Sequence, residues 1–96
     1  MLKKIVSYSV SKDGGTITAP TKVVFLAPYM QEDHLVLPVV QDPEIGPGVY
    51  DILSPIVDWS IRVCSSDGEI EGNAEYVGTA WQGEGPRHVF VRRSPI

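Results

Sequence analysis

The feature that most constrains this chain is its apolar spacing, which follows period two or falls in short runs, each interrupted by glycine, proline or acidic turns. No stretch carries the 3.6-residue period of an amphipathic helix, so strands must build the fold. Val6, Tyr8 and Val10 alternate with Ser7 and Ser9, and Lys12-Asp13-Gly14-Gly15 ends that strand with the dipeptides that hairpin turns require. Thr16–Thr18 reads as a short return strand. Lys22–Pro28 and Leu35–Val40 are dense in Val, Leu and Phe, and the polar Gln31–His34 between them predicts a second hairpin. Pro28 and Pro38 lack an N–H and are expected at strand ends, bulges or a sheet edge.

The excursion over 41–57 holds Pro43, Pro47, Pro55, Gly46 and Gly48, which leaves room for turns and at most one short helix, at Val49–Leu53. Trp59, Ile61 and Val63 then face one way and Ser60, Arg62 and Cys64 the other, ending at Ser65–Gly68. Tyr76–Trp81 and Arg87–Arg92 form the last pair, joined by a loose loop over Gln82–Pro86. The predicted fold is all-β, a small antiparallel sandwich or half-open barrel of about seven short strands.

At 96 residues the chain supports a single domain, 1–96. Its longest apolar run, Val23–Ala27, is far too short to span a membrane as a helix. Cys64 is the lone cysteine, so no internal disulfide or CxxC metal pair exists. The opening Met1-Leu2-Lys3-Lys4 has the basic start of a signal peptide but no apolar core behind it, and an intracellular protein is expected. A net charge of −4 and a pI near 4.9 argue against direct nucleic-acid or anionic-membrane binding. The distribution says more: residues 32–75 carry −9, residues 1–31 carry +3 and residues 76–96 carry +2. Chain ends in small domains tend to meet, which predicts a basic patch from Lys3, Lys4, Arg92 and Arg93. Glu32, Asp33, Asp67, Glu69 and Glu71 are the candidate acidic interaction surface; such charge serves either solubility or the steering of a basic partner.

Chemistry has few footholds. No Gly-x-Ser-x-Gly elbow accompanies the two histidines. Asp67-Gly68-Glu69-Ile70-Glu71-Gly72 spaces carboxylates as a calcium loop does, yet the closing position falls on Gly78 rather than a glutamate, so a solvated acidic turn is expected and no metal or cofactor. Asp33-His34 is the other local ligand pair. Gly83-Glu84-Gly85 sets an acid inside the loop and opposes an anion. The candidate recognition set is Tyr76, Trp81, Arg87 and His88, with Phe90 beside them, because aromatic faces and arginine forks serve stacking and interface hot spots. Alternation turns half of that set toward the core.

Glu75-Tyr76-Val77-Gly78-Thr79, followed after eight residues by His88-Val89-Phe90, resembles the closing motif of a family of small bacteriophage-encoded domains of unknown function. The Lys3–Tyr8 strand and the segment running into Lys22–Leu26 are similar to that family's start, so about half the chain is covered. The 41–57 excursion and the Val91–Ile96 tail depart from its pattern. The resemblance implies phage origin and a compact β fold, carries over His88 as a motif residue, and assigns no catalytic role. With no catalytic constellation in view, the expected function is that of a non-catalytic binding protein acting in the host cytoplasm, which blocks a host protein or captures a small signalling nucleotide. The alternative is a virion structural or assembly protein. Either is expected to form a homo-oligomer.

Overall fold

The computed structural model describes residues 3–41, 56–65, 68–82 and 85–94. Eight strands, all paired antiparallel, form one sheet that curls into a nearly closed barrel. In chain order they are β1 (Lys4–Ser11), β2 (Gly14–Pro20), β3 (Val24–Phe25), β4 (Tyr29–Gln31), β5 (His34–Gln41), β6 (Ile56–Cys64), β7 (Glu75–Gln82) and β8 (Gly85–Arg93). The order across the sheet is β3-β5-β1-β2-β6-β8-β7, and β4 extends the β3 edge of β5. The short helix expected at Val49–Leu53 lies outside the described residues.

Alternation sets the inside of the barrel. Cross-strand partners Val10 and Leu35, Tyr8 and Leu37, and Val6 and Val39 turn the same way from β1 and β5, as Ala19 and Val57, and Ile61 and Val91, do further round. Leu35, Leu37, Val39, Ile61, Val89 and Val91 are fully buried there, and Tyr8, Phe25, Met30, Trp59, Val63 and Val77 pack against them. Two polar groups enter the same space. Tyr8 donates to Gln41 Oε1 at 3.0 Å, and Trp59 Nε1 donates to the Pro20 carbonyl at 3.2 Å. Burial pushes the Tyr8 phenol above its ordinary value, and the Gln41 amide, able to turn a donor toward the phenolate, offsets part of that rise.

Two expectations need correction. The segment over Lys22–Pro28 is not one strand: β3 ends at Phe25 and β4 starts at Tyr29, giving eight strands rather than seven. The lapse lies opposite Pro38, which pairs with Ser7 on its other side; the register with β5 shifts by one residue between Phe25–Val39 and Tyr29–Val36, so Pro38 stands inside β5 at a bulge-like irregularity, one of the positions expected for it. Its carbonyl accepts from Leu26 N–H at 2.9 Å, so its missing N–H faces the same side, opposite the break. The β7–β8 loop is also tighter than Gln82–Pro86, because Gln82 already pairs with Gly85.

The first hairpin turns one residue early. Lys12 and Asp13 form the connection, Ser11 pairs with Gly14, and Gly14 takes a φ of 107° that other residues resist. A Cβ at Gly14 would also run into the Ile61 carbonyl oxygen. At the second hairpin a non-glycine residue, Glu32, takes a positive φ of 56°.

The ring cannot close in the antiparallel manner it uses everywhere else. Counting β3 and β4 as one position, the order has seven positions, and successive reversals leave β7 running parallel to β3 and β4. Among the described residues β7 pairs only with β8. β4 and β7 instead meet through packing, closest at Gly78, where an added Cβ would lie 2.7 Å from Pro28 Cδ.

Candidate functional site

The last hairpin brings much of the candidate set together. A β-bulge between Tyr76 and Gly78 inserts one residue into β7, so the face changes parity there. Tyr76 and Thr79, which strict alternation would place on opposite faces, therefore share the outer one. Tyr76 Oη and Thr79 Oγ1 share a hydrogen bond of 2.6 Å, and Thr79 Oγ1 shares another of 2.9 Å with His88 Nδ1. The Tyr76 ring meets Phe90 edge-on, with centroids 5.5 Å apart. Tyr76, Thr79, His88 and Phe90 thus form a clasp across β7 and β8, and Gly78 is the residue that lets β4 approach. Tyr76, Gly78, Thr79, His88 and Phe90, with Val89 buried beneath them in the core, thus make one contiguous structural unit.

The clasp has little to offer catalysis. Thr79 Oγ1 is bonded on both sides, and no described carboxylate is hydrogen-bonded to His88 to orient it as a base. Cys64, abreast of His88 on β6, sends its thiol to the Glu69 carbonyl at 3.6 Å. Among the described residues no three His, Cys, Asp or Glu side chains gather to hold a metal.

Arg87 does not join this group. It lies abreast of Ala80 on the inner face, and its guanidinium reaches Asp13 at 3.7 Å at the turn end of the barrel. Trp81 is on the outer face but beyond the clasp, 71% exposed. The four residues therefore do not converge on one ligand.

The acidic set is also dispersed. Glu32 and Asp33 form the β4–β5 turn, while Glu71 lies over β6 and β8, where Arg62 meets it at 3.0 Å and Arg92 Nε at 3.1 Å. The Arg92 contact is an ion pair without hydrogen-bond geometry, which leaves a buried Nε with charge but no proper acceptor. Glu69 is exposed, and Asp67 lies outside the described residues. Lys3 and Lys4 share the β7-start end of the barrel with Arg92 and Arg93, but β2 and β6 stand between them.

Two features escape the sequence pattern because each depends on which strands become neighbours. Ile5, Val40 and Val24 line up across β1, β5 and β3 on the outer face, Ile5 and Val24 well exposed. The second is a cleft of about 250 Å³ at the open seam, lined by Val23, Val24, Phe25, Trp59, Glu75, Tyr76 and Val77. Phe25 and Trp59 meet edge-on in its wall at 5.2 Å, and the Trp59 hydrogen bond to Pro20 fixes that ring. The volume is below the roughly 300–1,000 Å³ of ordinary small-molecule sites. It suits side chains.

Among the described residues no helix is long and apolar enough to cross a membrane. Comparison with known proteins gives no matching family model, no similar curated protein and no similar solved structure.

Proposed function

We propose that this chain is a non-catalytic binding protein, a bacteriophage accessory factor that occludes a protein of the host cytoplasm, and that it meets that protein along β7. The observation that carries this reading is the outer edge of β7, unpaired among the described residues, with Tyr76 56% and Trp81 71% exposed on the same strand. Unpaired N–H and C=O groups on an edge strand are a template for another chain, and exposed aromatic residues are enriched at interface hot spots. The phage and host part of the reading rests on the Tyr76-x-Gly78-Thr79 and His88-Val89-Phe90 motif. Protein occlusion is favoured over nucleotide capture because Arg87 is turned away from Tyr76 and Trp81 and the seam cleft is small.

The test is capture from bacterial lysate at low and at high salt, with Trp81→Ala as the control. A specific partner held by the parent protein and lost at least tenfold by Trp81→Ala supports the reading. No specific partner at either salt refutes it.

The same free edge favours one second reading, virion assembly through a symmetric oligomer, since two β7 edges can pair antiparallel about a two-fold axis. Native mass spectrometry of the untagged protein separates the two: a stable even-numbered oligomer found also in purified particles supports assembly, and a monomer removes it.

A further inference from the structure

We infer that the open seam between β3 and the start of β7 is a socket for one extended strand of a partner protein, running antiparallel to both walls, with an aliphatic side chain turned inward at Val77 and a basic one abreast of Glu75. This rests on the reading of β7 as the partner-binding edge and gives that partner a chemistry and a direction.

The argument starts from parity. Seven strand positions joined by antiparallel pairs leave the two margins parallel, and among the described residues the margins do not pair. One more strand, antiparallel to β3 and to β7, makes the number even, so that every joint of the ring can then be antiparallel. Eight strands also give a barrel whose interior side chains just fill. An inserted strand parallel to the walls would need two parallel joints in a sheet that otherwise has none.

The walls define what fits. Val23, Val24, Phe25, Trp59 and Val77 give the cleft of about 250 Å³ an apolar lining. Among the described residues Glu75 is the only carboxylate in the lining, and it is exposed. By its pairing with Val91 it belongs to the inward face. The socket is short, because Gly78 and Pro28 bring the margins together one residue beyond Val77. An incoming strand antiparallel to β7 thus ends its inserted stretch at Glu75, with the basic residue toward its C-terminus and the aliphatic residue two positions earlier.

The experiment uses the full-length ¹⁵N-labelled protein titrated into the millimolar range with acetyl-Thr-Val-Thr-Lys-Thr-amide, the reversed sequence acetyl-Thr-Lys-Thr-Val-Thr-amide, and a version with glutamate in place of lysine. Saturable shifts are expected at the amides of Val23–Phe25 and Glu75–Val77 and at the Trp59 indole N–H, with the Trp81 indole unmoved. The reversed and acidic peptides should bind at least fivefold more weakly, and Glu75→Lys should reverse the preference between lysine and glutamate peptides. Glu75→Gln, which keeps the shape, should weaken the lysine peptide and leave the order of the three shallower. The proposal is overturned if no peptide gives saturable shifts at those positions, or if the reversed sequence or Glu75→Lys makes no difference. If the peptides fail while capture of a lysate partner still depends on Trp81, the socket is wrong and the β7 reading stands. If the lysine peptide binds as described while lysate yields no partner, the socket stands and occlusion of a host protein fails.

Discussion

The two sides of this barrel are held by different means. Two walls of the ring are long ladders, with eight registered residue pairs between β1 and β5 and seven between β2 and β6, and the single pair Ser11–Gly14 joins them at the first hairpin. At the seam, by contrast, β3 has two pairs on β5, β7 has none on its outer side among the described residues, and the margins touch through Pro28 and Gly78. The difference teaches that backbone continuity and closure are separate problems. The ladders need only donors in register, whereas the seam depends on strand parity, on a proline that removes a donor, and on a glycine that removes a side chain.

The comparison can be broken first on the ladder side. Ile61, 2% exposed and packed between β2 and β8, should cost about 3–4 kcal/mol when changed to Ala, read as a lower urea midpoint at unchanged slope. At the seam the sensitive change is an addition rather than a removal. Gly78→Ala places a Cβ 2.7 Å from Pro28 Cδ and should cost roughly 1–3 kcal/mol. Pro28→Ala in the same chain should recover part of that loss, and a double-mutant cycle without coupling would show that the two margins do not press on each other.

Thr79→Val keeps the shape of the clasp and removes the hydroxyl that joins Tyr76 to His88, for an expected loss of about 1–2 kcal/mol. The His88 ring nitrogens should shift in the ¹⁵N spectrum. Tyr8 gives the smallest effect and one with a sign. Its folded pKa lies above the unfolded value of 10.0, so the associated stability is fully present below about pH 10 and is lost as pH rises through the folded pKa. Tyr8→Phe should cost about 1 kcal/mol at neutral pH, by leaving Gln41 Oε1 unpaired, and should flatten the alkaline decline in stability.

Local chemistry made much of this fold legible in the sequence. Alternation over Val6–Val10 and Trp59–Val63 assigns strands and inward faces, because period two is a property of the strand itself. What was not legible depends on neighbours. The rule for proline allows an end, a bulge or an edge, and which of these Pro38 takes was set by the strand opposite, which lapses and shifts register there. The parity change at Val77 has no marker in the sequence beyond the adjacent Gly78, so the Tyr76–Thr79–His88 clasp could not be read from spacing alone. Arg87, grouped with Tyr76 on sequence proximity, belongs to the other face for the same reason of parity. The seam cleft draws on three separate segments, and only the closed topology brings them together.

The absent hydrogen on Pro38 has a kinetic consequence. Because the break opposite it separates β3 from β4, the two short strands need not leave β5 together, and β3 has only its two pairs to lose. The Val24 amide should therefore exchange with solvent through a brief local opening, while the amides that β1 and β5 bond to each other in their eight-pair ladder wait for the whole barrel to unfold. One edge of β5 thus opens early while its other edge holds to the last.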